Sequence, residues 1–278
     1  MKYLYVGFSK TGTKTIATAF RILGFEVNDI EETLLYHHHQ WIKFLDRNTD
    51  VATRKKLLYE MYKNVDIVTD LPAFYFWELI LEVFPQCKLI FHERPLEKWL
   101  PALTKTQTDF RNYQYSYPDF IAKPLNRIFC PTLYFIDESC FEMEKLYNGH
   151  VGFGMDWKGN RNVNDLTEFS RHYLRHNAHV KMNAPKDKLL ILENFEDFNW
   201  EKICKFVGKE VPVDVPFPYE NKGDSEVTKI VEQLCIKNGR KDAGASMVEV
   251  IKSELRTRVM VFTGLLMIGF VVKTSYFQ

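Results

Sequence analysis

The sequence predicts an α/β fold built on a central parallel sheet with helices on its faces. Three short apolar runs in the first hundred residues suit buried strands, and a helical pattern follows each of them: Tyr3–Val6, Val65–Val68 and Lys88–Phe91. The chain has 278 residues, 46% of them hydrophobic, which suffices for one α/β domain with excursions. Repeated strand-to-helix units imply parallel strands joined by crossover helices.

The first unit runs from the strand through a turn at residues 7–12 into a helix predicted over residues 13–23, whose apolar residues form one stripe. Residues 31–63 predict two helices with a break near residues 48–50. The second strand ends at Asp70, and Pro72 precedes a helix predicted over residues 73–84. The third strand leads to Arg94, followed by Pro95 at the start of the next helix.

The segment from about 105 to 163 lacks clear periodicity and is rich in aromatic residues. So long a stretch between regular elements, with this composition, predicts a partly helical lid. A helix at about 164–181, a strand at 189–192 and a helix at 200–207 that stops at Gly208 follow. Further helical patterns begin at residues 225 and 246.

Composition excludes several classes of function. The formal net charge of +1 gives no global preference for nucleic acid. Five cysteines without a CxxC pair make a poor disulfide framework or zinc site, so we expect no metal and a reducing compartment. The N-terminus passes directly into a strand pattern without a signal-peptide core, which predicts a cytoplasmic domain.

The turn after the first strand carries the clearest chemical signal. At a strand-to-helix turn, backbone N–H groups and the helix dipole favour an anion. Glycine allows close approach, and hydroxyl and ammonium groups add donors. We therefore expect a phosphate site formed by Ser9, Lys10, Thr11, Gly12, Thr13, Lys14 and Thr15. A nucleoside-triphosphate loop would require lysine where Thr13 stands, so the pattern misses that motif by one residue.

Residues 10–15 resemble the K-[ST]-G-T-x-[ST] motif of P-loop sulfotransferases, and the resemblance continues in register as far as residue 221. Residues 70–77, D-L-P-A-F-Y-F-W, resemble the family's D-x-P-x-x-x-F-W block, and residues 93–99 its R-D-P-E-K-W segment. The blocks around 175–177, 188–192, 200–208 and 216–218 keep its order and spacing. The resemblance implies a three-layer P-loop fold.

The resemblance also implies the donor, 3′-phosphoadenylyl sulfate (PAPS). In the family the loop backbone and its lysine hold the 5′-phosphosulfate, and the arginine at Arg94 contacts the 3′-phosphate with the help of a serine eight residues later. Here that position is Ala102, preceded by Pro101, and Thr104 is the candidate substitute. We expect Lys10 and Lys14 to neutralise charge on the leaving group, with no metal required.

Asp70 is the candidate catalytic base, since transfer to a hydroxyl needs a proton acceptor whose pKa burial would raise. Its alternative role is an N-cap for the helix that follows. The lead prediction is a sulfotransferase acting on a hydroxyl or amine of a small-molecule acceptor, which the aromatic lid favours. One alternative is an NTPase or kinase with Mg²⁺ on Asp70 or Glu193. Another is a membrane-tethered binding protein that keeps the fold without catalysis.

The predicted organisation is a catalytic domain over residues 1–221, a helical segment over 222–255 and a hydrophobic tail over 256–278. Residues 259–272 form an uncharged run, flanked by Arg256 and Arg258 before it and Lys273 after it. This C-terminal hydrophobic helix is shorter than an ordinary span, but snorkelling of Lys273 would lengthen it. We expect it to be a possible membrane anchor.

Overall fold

The computed structural model describes residues 1–114, 128, 166–219 and 256–261. These residues belong to two compact units. One comprises the described residues within Met1–Thr108 and Ser139–Ser225, and the other those within Asp109–Glu138 and Glu226–Gln278.

The first unit alternates short strands with helices along the chain. The strands are β1 (Tyr3–Tyr5), β2 (Val27–Asn28), β3 (Ile67–Val68), β4 (Lys88–His92) and β5 (Leu189–Leu192). The helices are α1 (Thr13–Ile22), α2 (Ile30–Tyr36), α3 (His38–Leu45), α4 (Val51–Tyr62), α5 (Trp77–Val83), α6 (Leu96–Gln114), α7 (Leu166–Asn183) and α8 (Trp200–Val207), with 3-10 turns at Ala73–Phe76 and Phe195–Asp197.

The five strands form one parallel sheet in the order β2-β3-β1-β4-β5. Strand β1 lies at its centre, with Leu4 in register with Val68 of β3 and Leu89 of β4. Because parallel strands end at one edge, the segments that follow β1, β3, β4 and β5 converge there. This confirms the predicted α/β fold.

Both faces of the sheet are buried, as a parallel sheet requires. Leu4 faces a core that includes Trp77 of α5 and Val180 of α7. Tyr5 faces the opposite core, which includes Phe20 of α1 and Ile203 of α8. The layers are therefore helix, sheet and helix, which confirms the three-layer arrangement.

The structure corrects the prediction for residues 24–63. Strand β2 was not predicted, because two residues are too few to show a periodicity. The segment holds three helices rather than two. The additional break is at His37, whose φ of −123° leaves the helical range where α2 ends and α3 begins.

Two other boundaries differ from the prediction. The helix expected over residues 73–84 starts as a 3-10 turn and becomes α-helical only at Trp77. Helix α6 contains Pro101 and continues to Gln114, so the beginning of the predicted lid is helical. Apart from Ile128, the rest of the lid, to residue 163, lies outside the described residues.

The C-terminal run at residues 259–272 lies mostly outside the described residues. Residues 256–261 are helical, and the Arg258 guanidinium donates a hydrogen bond of 3.0 Å to the carbonyl of Ile128 within the second unit. Across the ranges that the structure describes, none of the helices has both the length and the apolarity needed to cross a bilayer. The membrane anchor stays a prediction.

Candidate active site

The turn between β1 and α1 has a backbone that suits an anion. Lys10 and Gly12 both have left-handed conformations, with φ of 69° and 106°. Gly12 is the N-cap of α1, and among the described residues no side-chain hydrogen bond caps that helix end. The uncapped end therefore presents backbone N–H groups and the positive end of the helix dipole at one place.

Glycine is required at position 12 for a second reason. A Cβ atom there would lie 2.6 Å from a ring carbon of Phe198, well inside van der Waals contact. The Phe198 ring thus packs against the turn at the point where α1 starts.

A buried hydrogen-bond network fixes the shape of the turn. The Thr11 hydroxyl donates to the carbonyl of Phe8 at 2.5 Å. The Tyr5 hydroxyl donates to the carbonyl of Thr11 at 2.6 Å. The Thr11 side chain is completely buried, so its hydroxyl stabilises the turn from inside.

Two side chains from other helices bind the backbone of the same turn. The indole N–H of Trp99 in α6 donates to the carbonyl of Ser9 at 2.9 Å. Nε2 of His176 in α7 lies 2.8 Å from the carbonyl of Val6. Burial lowers the pKa of His176 to about 4, so the neutral ring donates this bond through its Nε2–H.

Around the turn, aromatic rings form a cluster centred on Phe8. Trp99 and Tyr173 stack with their ring centres 3.9 Å apart. The rings that contact Phe8 are Phe74, Tyr75, Trp99, Tyr173 and His176. The cluster explains why α7 approaches the site, and it identifies His176 as the member of the Arg175-His176 pair that faces the turn, since Arg175 is exposed.

Asp70 lies directly beside the turn. Its carboxylate accepts hydrogen bonds from the hydroxyl of Ser9 and, at 2.9 Å, from the hydroxyl of Thr13. Its own conformation is left-handed, with φ of 65°. Burial and the negative charge of Asp29 raise the pKa of Asp70, although these hydrogen bonds act in the opposite direction.

The alternative prediction, that Asp70 caps the following helix, is wrong. The N-cap of the 3-10 turn at Ala73–Phe76 is Pro72, and no side chain caps it. Asp70 instead joins the end of β3 to the anion-binding turn.

The ammonium of Lys14 pairs with carboxylates at the start of α2. Its ammonium lies 2.9 Å from the carboxylate of Asp29 and also contacts the carboxylate of Glu31. Burial alone would raise the pKa of Asp29, but the positive charges of Lys14 and Arg21 outweigh it and hold the pKa below its usual value. Lys14 is therefore engaged in a buried ion pair at the start of α2.

The residues on α2 that hold Lys14 were not predicted. Asp29 is the N-cap of α2 and forms a reciprocal capping box with Glu32. The pattern D-x-x-E at residues 29–32 was a visible sign of this helix start. Strand β2, which precedes it, is too short to have shown that these acids lie at the sheet edge.

Arg94 reaches the turn from the end of β4. One of its terminal N–H groups donates to the carbonyl of Lys10 at 3.0 Å. Its Nε is buried and has no hydrogen-bond partner among the described residues. The carbonyl of Arg94 accepts a 2.6 Å hydrogen bond from the hydroxyl of Tyr173. The structure therefore brings together the predicted residues Lys10 and Arg94.

Two other predicted residues are placed differently. The hydroxyl of Thr104 donates to the carbonyl of Leu100, one turn earlier in its own helix, at 2.9 Å. Thr15 is buried in the first turn of α1.

A cavity of about 270 Å³ opens beside Arg94 at the ends of β4 and β5. Its lining includes Glu93, Tyr173, Lys181 and Glu193. An ion pair between Lys181 and Glu93 lies at this cavity. Within the described parts of the chain, no group of three histidine, cysteine, aspartate or glutamate side chains is arranged to hold a metal ion.

Comparison with known families decides the class of this site. The profile of the sulfotransferase domain matches residues 2–226, which is most of the chain. The chain belongs to the sulfotransferase domain family. The match includes the turn, Asp70 and Arg94, and it supports a transferase.

One relative of this chain is Ava biosynthesis cluster protein M of Aspergillus versicolor. It is 24% identical over 233 residues, which cover 82% of this chain and 83% of the relative. The similarity thus extends over nearly the whole length of both proteins.

Proposed function

We propose that this member of the sulfotransferase family transfers a sulfuryl group from PAPS to a hydroxyl or amine of a small molecule. The contact between Arg94 and the carbonyl of Lys10 carries the proposal, because it joins the anion-binding turn to a second cationic group. The relative's name refers to a biosynthesis cluster, which supports a small-molecule acceptor.

The site fits the charge of the donor. A nucleotide with phosphate groups at both its 5′ and 3′ positions needs two separate anion sites. The uncapped N-terminus of α1 is one candidate, and the buried Nε of Arg94, without a partner among the described residues, is a donor for the other. PAPS supplies an activated sulfuryl group attached to a good leaving group.

Lys10 is the principal candidate for neutralising charge on that leaving group. It lies within the turn itself, in the left-handed conformation. Lys14 shares its charge with Asp29 and Glu31, so its electrostatic contribution to the donor site is smaller than that of an unpaired ammonium. Stabilisation of developing charge usually contributes more to the rate of a group transfer than any other single effect.

Asp70 is proposed to accept the proton of the acceptor. Its raised pKa makes it a stronger base than an ordinary carboxylate. The hydrogen bonds from Ser9 and Thr13 hold it beside the turn, close to where the sulfuryl group is transferred.

One observation favours a second function, that of a binding protein with the same fold and no catalysis. The position that carries a serine in the family is Ala102, and the Thr104 hydroxyl is directed to the carbonyl of Leu100. Without the serine hydroxyl, the affinity for PAPS would be low. Measured donor affinity separates the two functions.

Isothermal titration calorimetry of the full chain with 3′-phosphoadenosine 5′-phosphate tests the proposal. We expect one molecule bound per chain, with the same affinity in the presence of EDTA, because the donors in the site are cationic side chains and backbone N–H groups. ATP with magnesium is the comparison ligand. Tight binding of ATP with magnesium, together with no binding of the bisphosphate, would replace the proposal by the NTPase alternative.

A further inference from the structure

The segment after β5 places two aromatic rings against the donor site. Phe195 and Phe198 stack with their ring centres 5.5 Å apart and an interplanar angle of 29°. Phe198 is buried against Gly12 of the anion-binding turn. Phe195 is the outer ring of the pair and has 36% of its surface exposed.

Phe195 also contacts Arg94. The central carbon of the Arg94 guanidinium lies 5.8 Å from the centre of the Phe195 ring. A guanidinium at this distance is attracted by the negative face of the ring. The guanidinium thus contacts the Phe195 ring and also donates to the carbonyl of Lys10 from one terminal nitrogen.

Such support matters for a long side chain. An arginine loses rotamer freedom when it binds, and a neighbour that fixes its plane in advance reduces this cost. The family's serine would be a natural source of support, but position 102 is alanine and the Thr104 hydroxyl donates to the carbonyl of Leu100. The ring of Phe195 occupies a position from which it can orient the same guanidinium.

We propose that Phe195 is a positioning residue that holds Arg94 for the 3′-phosphate of the nucleotide and so sets the preference for 3′-phosphorylated ligands. The proposal rests on the function proposed above, in which Arg94 binds that phosphate. Phe198 is the matched contrast within the same aromatic pair, because it supports Gly12 and hence the 5′ end of the ligand.

Calorimetry with two ligands isolates the effect. The ligands are 3′-phosphoadenosine 5′-phosphate and adenosine 5′-phosphate, which differ only in the 3′-phosphate. The dissociation constant of adenosine 5′-phosphate divided by that of 3′-phosphoadenosine 5′-phosphate measures the contribution of that phosphate. In Phe195→Leu we expect this ratio to fall by about tenfold, the size of a partly desolvated cation–π contact, with the affinity for adenosine 5′-phosphate unchanged.

Two variants serve as controls. Phe195→Tyr keeps an aromatic face and should restore the ratio. Phe198→Leu should weaken both ligands by the same factor and leave the ratio unchanged. Thermal unfolding of each variant confirms that the fold is kept, which we expect for Phe195→Leu because that side chain is partly exposed.

The outcomes separate this inference from the proposed function. If Phe195→Leu weakens both ligands equally, or neither, Phe195 does not position Arg94. If Arg94→Ala leaves the ratio unchanged, Arg94 does not bind the 3′-phosphate, and that part of the proposed function fails instead. If the wild-type chain binds neither nucleotide, the proposal that PAPS is the donor is wrong, and this inference is wrong with it.

Discussion

The ammonium of Lys14 lies 2.9 Å from the carboxylate of Asp29, whose side chain is completely buried. Lys14 and Lys10 stand four residues apart in the same motif, yet it is Lys14 that the carboxylates of Asp29 and Glu31 surround. Lys14 thus pairs with acidic residues at the start of α2, whereas Lys10 lies within the turn between β1 and α1. Four predictions test these roles and those of their neighbours.

Lys14→Ala should destabilise the fold. It would leave Asp29 and Glu31 buried without their positive partner, and breaking a buried pair costs about 3 kcal/mol or more of unfolding free energy. Urea denaturation measures the change. Lys63→Ala is the matched control, because Lys63 pairs with Glu60 on the surface and should change the unfolding free energy far less than Lys14→Ala does. Equal effects of the two changes would contradict the prediction.

Lys10→Ala should lower the turnover by a factor on the order of 100, because charge stabilisation at the leaving group is lost. Sulfate transfer from PAPS, measured with an acceptor that the wild type uses, checks the rate. Lys10→Arg keeps the charge and should retain more activity than the alanine variant. Loss of stability without loss of turnover would show that Lys10 has a structural role.

Asp70→Asn and Asp70→Ala should differ. Asparagine keeps a carbonyl oxygen that can accept from Ser9 or Thr13, so we expect turnover to fall while nucleotide affinity stays within about threefold of the wild type. Alanine removes the acceptor for both hydroxyls and should weaken nucleotide binding as well. Calorimetry combined with initial rates separates binding from catalysis. Full activity of the asparagine variant would exclude Asp70 as the base.

His176 should make the fold sensitive to acid. Its pKa falls from an ordinary value of 6.5 to about 4 in the folded chain, so the unfolded chain binds more protons between these two values. Stability therefore rises with pH across this window and is lost as the pH falls from 6.5 towards 4, by as much as about 3 kcal/mol. Burial also lowers the pKa of His37, to about 4, and the pKa of His92. Both histidines therefore add to the loss of stability as the pH falls.

Denaturation at a series of pH values measures this dependence. His176→Gln keeps an N–H donor for the carbonyl of Val6 and should flatten the curve between pH 6.5 and 4. A slope that His176→Gln does not alter would assign the acid sensitivity to other groups.

The sequence alone located the main parts of the candidate site. The turn, Asp70 and Arg94 each follow an apolar strand pattern, and parallel strands bring such segments to one edge of the sheet. Two contacts join them, between Ser9 and Asp70 and between Lys10 and Arg94. The parallel direction of the strands was enough to predict that these segments share one edge of the sheet.

The direction of individual side chains was not predictable in the same way. Lys14 turns towards Asp29 because β2 brings the start of α2 beside α1, and a two-residue strand leaves no periodic pattern. The hydroxyl of Thr104 bonds to the carbonyl four residues earlier, a choice that depends on its rotamer. The roles of both residues depend on tertiary contacts that no local pattern encodes.

The indole of Trp99 is hydrogen-bonded to the carbonyl of Ser9 and stacked on Tyr173. An indole emits light whose wavelength and intensity depend on its hydrogen bond and on the rings that touch it. Any ligand that draws the backbone of Ser9 towards itself changes that bond. Trp99 thus places an intrinsic fluorophore on the turn between β1 and α1, and we expect a ligand that binds this turn to change its emission.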